Sequence, residues 1–142
     1  MLMDVDLTDS GAEDLVSALS TNHLLIELLL SGNKLGDSGV KPVSAALRHP
    51  DCKIQKLGLG SVGLTDSGAE DLVSALSTNP SLTDLGLAGN SLTDRSMPAL
   101  RSLILNHPRL KRIRLVGNEF SATGKKELRS LQETRPGLSV DV

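Results

Sequence analysis

Tyrosine and tryptophan are missing from this chain of 142 residues, and Phe120 is its single aromatic carbocycle. A core made this way must be assembled from Leu, Val, Ile and Ala, which suits many small layers of one kind. The same lack removes the stacking surfaces on which single-stranded nucleic-acid binders and most small-molecule pockets rely. Cysteine is almost absent too: Cys52 has no partner for an internal disulfide, and no asparagine opens an N-x-Ser/Thr sequon. Both point to a reducing compartment, and the expected location is cytoplasmic. No apolar run approaches the ~20 residues that cross a bilayer. The opening segment, Met1 to Asp6, has neither a basic region nor a long apolar core, so no secretory route and no membrane are expected. With 39% hydrophobic and 23% charged residues, what remains is an ordinary folding composition, which sets aside disorder and collagen.

What the chain does have is repetition. Residues 7–22 read LTDSGAEDLVSALSTN, and residues 64–79 read the same sixteen letters, 57 positions later. At about half that displacement the frame L-x-x-L-x-L-x-x-N-x-L recurs in four registers. These are Leu25, Leu28, Leu30, Asn33, Leu35; Ile54, Leu57, Leu59, Val62, Leu64; Leu82, Leu85, Leu87, Asn90, Leu92; and Leu110, Ile113, Leu115, Asn118, Phe120. An internal period of this length decides the architecture before local propensity does.

Within each unit, leucines at period two, as in Leu28 and Leu30 or Leu57 and Leu59, lie on one face of a short strand. The period then becomes helical: Ala69, Leu72, Val73 and Leu76 fall at i, i+3, i+4 and i+7, and Ala12, Leu15, Val16 and Leu19 repeat them. Ser67 with Glu70, and Ser10 with Glu13, have capping-box spacing, while Pro50, Pro80 and Pro108 mark the far helix ends. One strand and one helix cannot bury both apolar faces alone, so the units must stack, with a curved parallel sheet inside and helices outside.

The frame resembles the leucine-rich repeat of the ribonuclease-inhibitor type over nearly the whole chain. The fold class expected is therefore α/β, a horseshoe-arc solenoid of about four full repeats plus a partial N-terminal one. Residues 1–24 form the partial repeat, 25–53, 54–81 and 82–109 the full ones, and 110–142 the last repeat with its C-terminal cap. Lys125, Arg129 and Gln132 replace apolar residues in the final helix, as a capping unit requires, and Leu138 to Val142 opens one more strand. Met1 to Leu7 aligns with Gly58 to Leu64, so the chain opens within a strand. An uncapped edge there is expected to mark a slice of a longer protein and to permit self-association.

The asparagines at the ninth frame position, Asn33, Asn90 and Asn118, form a structural ladder, their amides bonding backbone groups left open by each turn. Val5 and Val62 interrupt it. Outward strand positions line the concave face: Glu27, Leu29 and Ser31; Lys56, Gly58 and Gly60; Asp84, Gly86 and Ala88; Arg112, Arg114 and Val116. Of these, Glu27, Leu29, Lys56, Asp84, Arg112 and Arg114 are the candidates for partner contact. Arg112 and Arg114, with Lys111 beside them, are the one concentrated feature, and Arg suits bidentate contact with carboxylate or phosphate. The alternative is that these are simply solvated side chains. Residues 1–108 hold seven Lys or Arg against thirteen Asp or Glu, while residues 109–142 hold eight against four, so the chain is electrically directional.

Several apparent chemistries dissolve in the repeat. Gly58-Leu59-Gly60-Ser61-Val62-Gly63 matches G-x-G-x-x-G, but Gly58 and Gly60 are outward strand positions of the frame. Asp4, Asp6, Asp9 and Gly11 approximate a calcium loop, yet the glycine falls too late and Leu15 stands where a closing Glu should. Cys52 is expected as a small packed side chain, and His49 and His107 as residues of helix ends before proline. No nucleophile has a paired base. The chain is read as non-enzymatic, with no cofactor and no metal site.

The segments Leu35-Gly36-Asp37-Ser38-Gly39 and Leu47 to Lys53 (LRHPDCK), with the tail from Glu133 to Leu138, are similar to the repeats of NOD-like receptors of the NLRP class. That resemblance implies a cytosolic innate immune sensor whose repeats restrain the receptor or contact regulators, with protein as partner. A free-standing enzyme inhibitor and a purely architectural spacer remain as alternatives. With a net charge of −2 and no stacking aromatics, nucleic acid comes last.

Overall fold

A computed structural model describes residues 26–49 and 52–142. Strand and helix alternate through them: β1 (Glu27–Leu29), α1 (Gly36–Leu47), β2 (Lys56–Gly58), α2 (Asp66–Leu76), β3 (Asp84–Gly86), α3 (Met97–Asn106), β4 (Arg112–Arg114), α4 (Ala122–Thr134) and β5 (Ser139–Asp141). A 3-10 turn, Asp94–Ser96, leads into α3. The five strands form one parallel sheet in sequence order, and each helix is the crossover that a parallel pair requires. The partial first repeat, its helix, its edge and the aspartates weighed as a calcium loop lie outside the described residues.

Register follows from the frame. Leu28, Leu57, Leu85, Ile113 and Val140 pair in one row across the sheet, every one of them buried. Leu30, Leu59, Leu87 and Leu115 form the next buried layer. Removing a Leu of this kind from water contributes about 1.5–3 kcal/mol, so identical thin layers add up without aromatic bulk. The helices answer from the other side, with Ala69, Leu72, Val73 and Leu76 of α2 and Met97, Leu100, Leu103 and Ile104 of α3 buried. Strands sit ~4.8 Å apart and packed helices ~8–10 Å apart, so the stack bends with its strands inward. In α4 Leu128 and Leu131 are buried beside Gly124, while Arg129 and Gln132 are exposed and Lys125 is half-buried.

Three hydrogen-bond ladders tie the units together. The first is the asparagine ladder. Asn90 Oδ1 accepts from the amides of Val62 and Leu64, each at 3.0 Å, and its Nδ2 donates to the carbonyls of Leu59 and Leu87. Asn118 serves Leu92 N–H and the Leu87 and Leu115 carbonyls in the same way, and Asn33 donates to the Leu30 carbonyl. Asn90 and Asn118 both reach back to the turn of the preceding unit, whether Val62 or Asn90 stands there.

The second ladder runs along the helix starts. Asp37 accepts from the Thr65 amide and hydroxyl, Asp66 from the Thr93 amide and hydroxyl and the Ser96 hydroxyl, and Asp94 from the Ser121 amide and hydroxyl. Each carboxylate thus fastens the entry of the next helix. This arrangement corrects the expected capping box at Ser67 and Glu70: the N-cap of α2 is Thr65, and its hydroxyl is given to Asp37 instead of its own helix. Burial alone would raise the Asp66 carboxyl, but the Ser96 and Thr93 hydroxyls, the Thr93 amide and the Arg95 charge bring it below the usual carboxylate value. The Ser121 hydroxyl and amide lower Asp94 likewise.

The third ladder occupies the helix ends. Asn79 Nδ2 donates to the Leu47 carbonyl, and His107 Nε2 lies 2.7 Å from the Asn79 carbonyl. Arg135 then donates to the carbonyls of Ile104, His107, Pro108 and Leu110, satisfying acceptors left over at the end of α3. Pro80 and Pro108 lie beyond the last turns of α2 and α3, whereas Pro42 stands inside α1.

Candidate functional site: the strand face

Alternation along each three-residue strand sends the middle side chain inward and the outer two to the open face, so parallel pairing assembles the open positions into rows. Glu27, Lys56, Asp84 and Arg112 stand in register in the first row, and their charges alternate in sign. Leu29, Gly58, Gly86 and Arg114 make the second row. Ser31, Gly60, Ala88 and Val116 follow the strands, and the Ser31 hydroxyl accepts the Gly60 amide at 3.1 Å. All six candidate contact residues, Glu27, Leu29, Lys56, Asp84, Arg112 and Arg114, border one shallow depression of about 280 Å³.

The electrostatics of this face are uneven. Lys56 Nζ lies 3.5 Å from Glu27 Oε1, with both side chains about half exposed, an ion pair worth little in water. Among the described residues, Arg112 and Arg114 make no ion pair and are exposed, although Asp84 and Asp141 are their in-register neighbours. Leu29 is half-buried because it leans over its neighbour: a Cβ on Gly58 would lie 2.9 Å from Leu29 Cδ2. Gly86 is different, since a Cβ there would meet nothing closer than the Gly58 Cα at 3.7 Å. Leu29 thus covers the buried Gly58, and Gly86 is the stretch of bare backbone between Leu29 and Arg114.

Chemistry other than contact finds little support in these residues. Gly58 and Gly60 are strand-face positions, not the turn between a strand and a phosphate-binding helix start. Cys52 is partly buried against the core, and the Asn79 amide approaches its Sγ at 3.5 Å. The buried His107 ring is turned to the Asn79 carbonyl, with no partner for Nδ1 among the described residues. Among the described residues no three His, Cys, Asp or Glu side chains gather as a metal would require, and no helix is long and apolar enough to cross a membrane.

The sequence reading placed the open-face residues by alternation but missed the sign alternation of the first row, which emerges only when four strands are aligned. It also missed the Asp37, Asp66 and Asp94 ladder, although those residues recur at repeat spacing before a Ser or Thr of the next unit. Asn79, His107 and Arg135 recur at 28-residue intervals, but three different side chains doing one job carry no residue-type signal.

Comparison with known proteins agrees with this geometry. A family model described as Leucine Rich repeat matches residues 21–44. A bovine (Bos taurus) NACHT, LRR and PYD domains-containing protein 3 is 49% identical over 82 residues, which are 58% of this chain and 8% of that protein. Pig (Sus scrofa) ribonuclease inhibitor is 45% identical over 83 residues, 58% of this chain and 18% of the inhibitor. The chain thus matches only a small part of the length of these relatives. Among solved structures, the actin-binding site 2 of leiomodin-1 superposes with a TM-score of 0.77 at 15% identity, over 90% of this chain and 76% of that one, a likeness of fold. The chain has the leucine-rich repeat fold, and its sequence is similar to NACHT, LRR and PYD domains-containing proteins and to ribonuclease inhibitor over part of its length.

Proposed function

We propose that this chain is the ligand-sensing or autoinhibitory repeat region of a cytosolic NOD-like receptor of the innate immune, inflammasome type, and that it works by binding protein without catalysis. The observation that carries the reading is the strand face itself. Six candidate side chains border one open depression, while the residues holding the repeats together are used up in ladders elsewhere. Similarity to several NACHT, LRR and PYD domains-containing proteins supports a receptor context. Pig ribonuclease inhibitor is similar at a comparable level, which gives a second reading, a free-standing enzyme inhibitor. The strand face weighs against it: tight interfaces concentrate energy in Trp, Tyr and Arg, and this face offers Arg, Gly and Ala with no aromatic.

An immunoblot of native tissue with an antibody to residues 110–142 separates the two. A band several times larger than 15.0 kDa is expected, as for a receptor arm. A band near 15.0 kDa, together with loss of pancreatic ribonuclease activity on titration with the chain, would move the inhibitor reading to the front.

A further inference from the structure

Among the described residues the two exposed arginines of β4 make no ion pair, whereas Glu27 and Lys56 at the other end of the first row pair with each other. Glu27 is bridged to Lys56, whereas the guanidinium groups of Arg112 and Arg114 have no carboxylate within 4 Å among the described residues. They project from one strand with Lys111 beside them, in the part of the chain where positive charge exceeds negative. Asp84 on β3 and Asp141 on β5 border this basic strip and limit its width. Next to the strip, the row from Arg114 to Leu29 crosses Gly86 and Gly58, and because Leu29 folds over Gly58 the open floor is Gly86. A partner's backbone or a large side chain can therefore lie on the sheet between an apolar wall and a cationic one.

We infer that this face takes an acidic, extended protein segment, its carboxylates on Arg112 and Arg114 and one large apolar side chain on the bare Gly86 backbone against Leu29. The inference rests on the strand face being the contact surface and adds the chemistry of what it contacts. Charge complementarity selects carboxylates, and guanidinium forks bind them in paired geometry. The bare Gly86 backbone beside Leu29 selects a bulky apolar group. Nucleic acid would also satisfy the arginines, but Asp84 and Glu27 in the same row repel a continuous phosphate backbone.

The absence of Trp from the chain gives the test its readout, since a peptide's Trp is then the sole indole in solution. The probe is a ten-residue peptide of Gly and Ser with one central Trp and a pair of Glu beside it, titrated with the full chain while its emission and anisotropy are followed. The expected result is a saturable blue shift. Arg112→Ala with Arg114→Ala, and separately Gly86→Leu, should each weaken binding at least fivefold, as should exchanging the probe's Trp for Ala. The Gly86 position has room for a Cβ and both arginines are exposed, and circular dichroism of each variant checks that the fold is kept. No saturation, full binding by Gly86→Leu, or equal binding of a ten-nucleotide deoxythymidine strand overturns the proposal. Photo-cross-linkers on the strand face distinguish the two levels: if they still capture protein partners when the peptide fails, only this inference falls, and if they capture none, the contact-surface reading falls with it.

Discussion

Gly124 shows how a single position can run against its own propensity. Glycine inside a helix is worse than alanine by about 1 kcal/mol, yet Gly124 lies buried in the first turn of α4. An added Cβ there would overlap Asp94 Oδ1, the carboxylate oxygen that accepts the Ser121 amide. Gly124→Ala is therefore expected to destabilise the chain by about 1 kcal/mol or more, against the direction of helix propensity. In an Asp94→Ala background the same change should become stabilising. Denaturant titration of the four proteins in this cycle checks it, and an alanine that stabilises both backgrounds would contradict the packing account. The carboxylates also give the fold a pH dependence of definite sign. Asp66 and Asp94 titrate below the ordinary value of 3.8, so their contribution is fully present above that value and is lost as pH falls through their folded values. Asp66→Asn should lower stability at neutral pH and flatten its decline below about pH 4. A decline as steep as that of the parent chain would assign the acid sensitivity to other groups.

The strands and helices were legible because each obeys one period: two for Leu57 and Leu59, and 3.6 for Ala69, Leu72, Val73 and Leu76. Their joints were less so. A capping box was expected at Ser67 and Glu70 because local spacing assumes that a helix caps itself, whereas Thr65 gives its hydroxyl to the preceding unit's Asp37. The end of α3 is held the same way from outside, by Arg135 reaching four carbonyls. Arg135→Ala should destabilise the chain by about 1–3 kcal/mol, the scale of charged hydrogen bonds left unmade. Arg135→Lys should recover little of this, because one ammonium group cannot match the planar fork. Faster amide exchange confined to residues 103–111 in both variants would support this role, and full rescue by lysine would contradict it.

In the assembled stack, the strand face and the ladders divide the work. Polar groups at the turns and helix termini are committed to neighbouring repeats, while the open rows carry side chains that the fold does not need. Arg112→Ala with Arg114→Ala is accordingly expected to change stability by no more than about 0.5 kcal/mol, as for surface substitutions away from structural contacts. The six residues of this face could be read from alternation alone, since a strand of known register leaves two open positions per unit. Its alternating charge row and its bare floor could not, because both depend on residues 28 or 29 positions apart meeting side by side. The most direct measurement of the central claim is position-resolved photo-cross-linking in cells. A photoreactive residue is placed in turn at Lys56, Asp84 and Arg112 on the strand face and at Glu70, Ser102 and Lys126 on the helix side, all in the full chain. The account predicts the same protein partners captured from the three strand-face positions and not from the helix side. Capture confined to the helix side would contradict it.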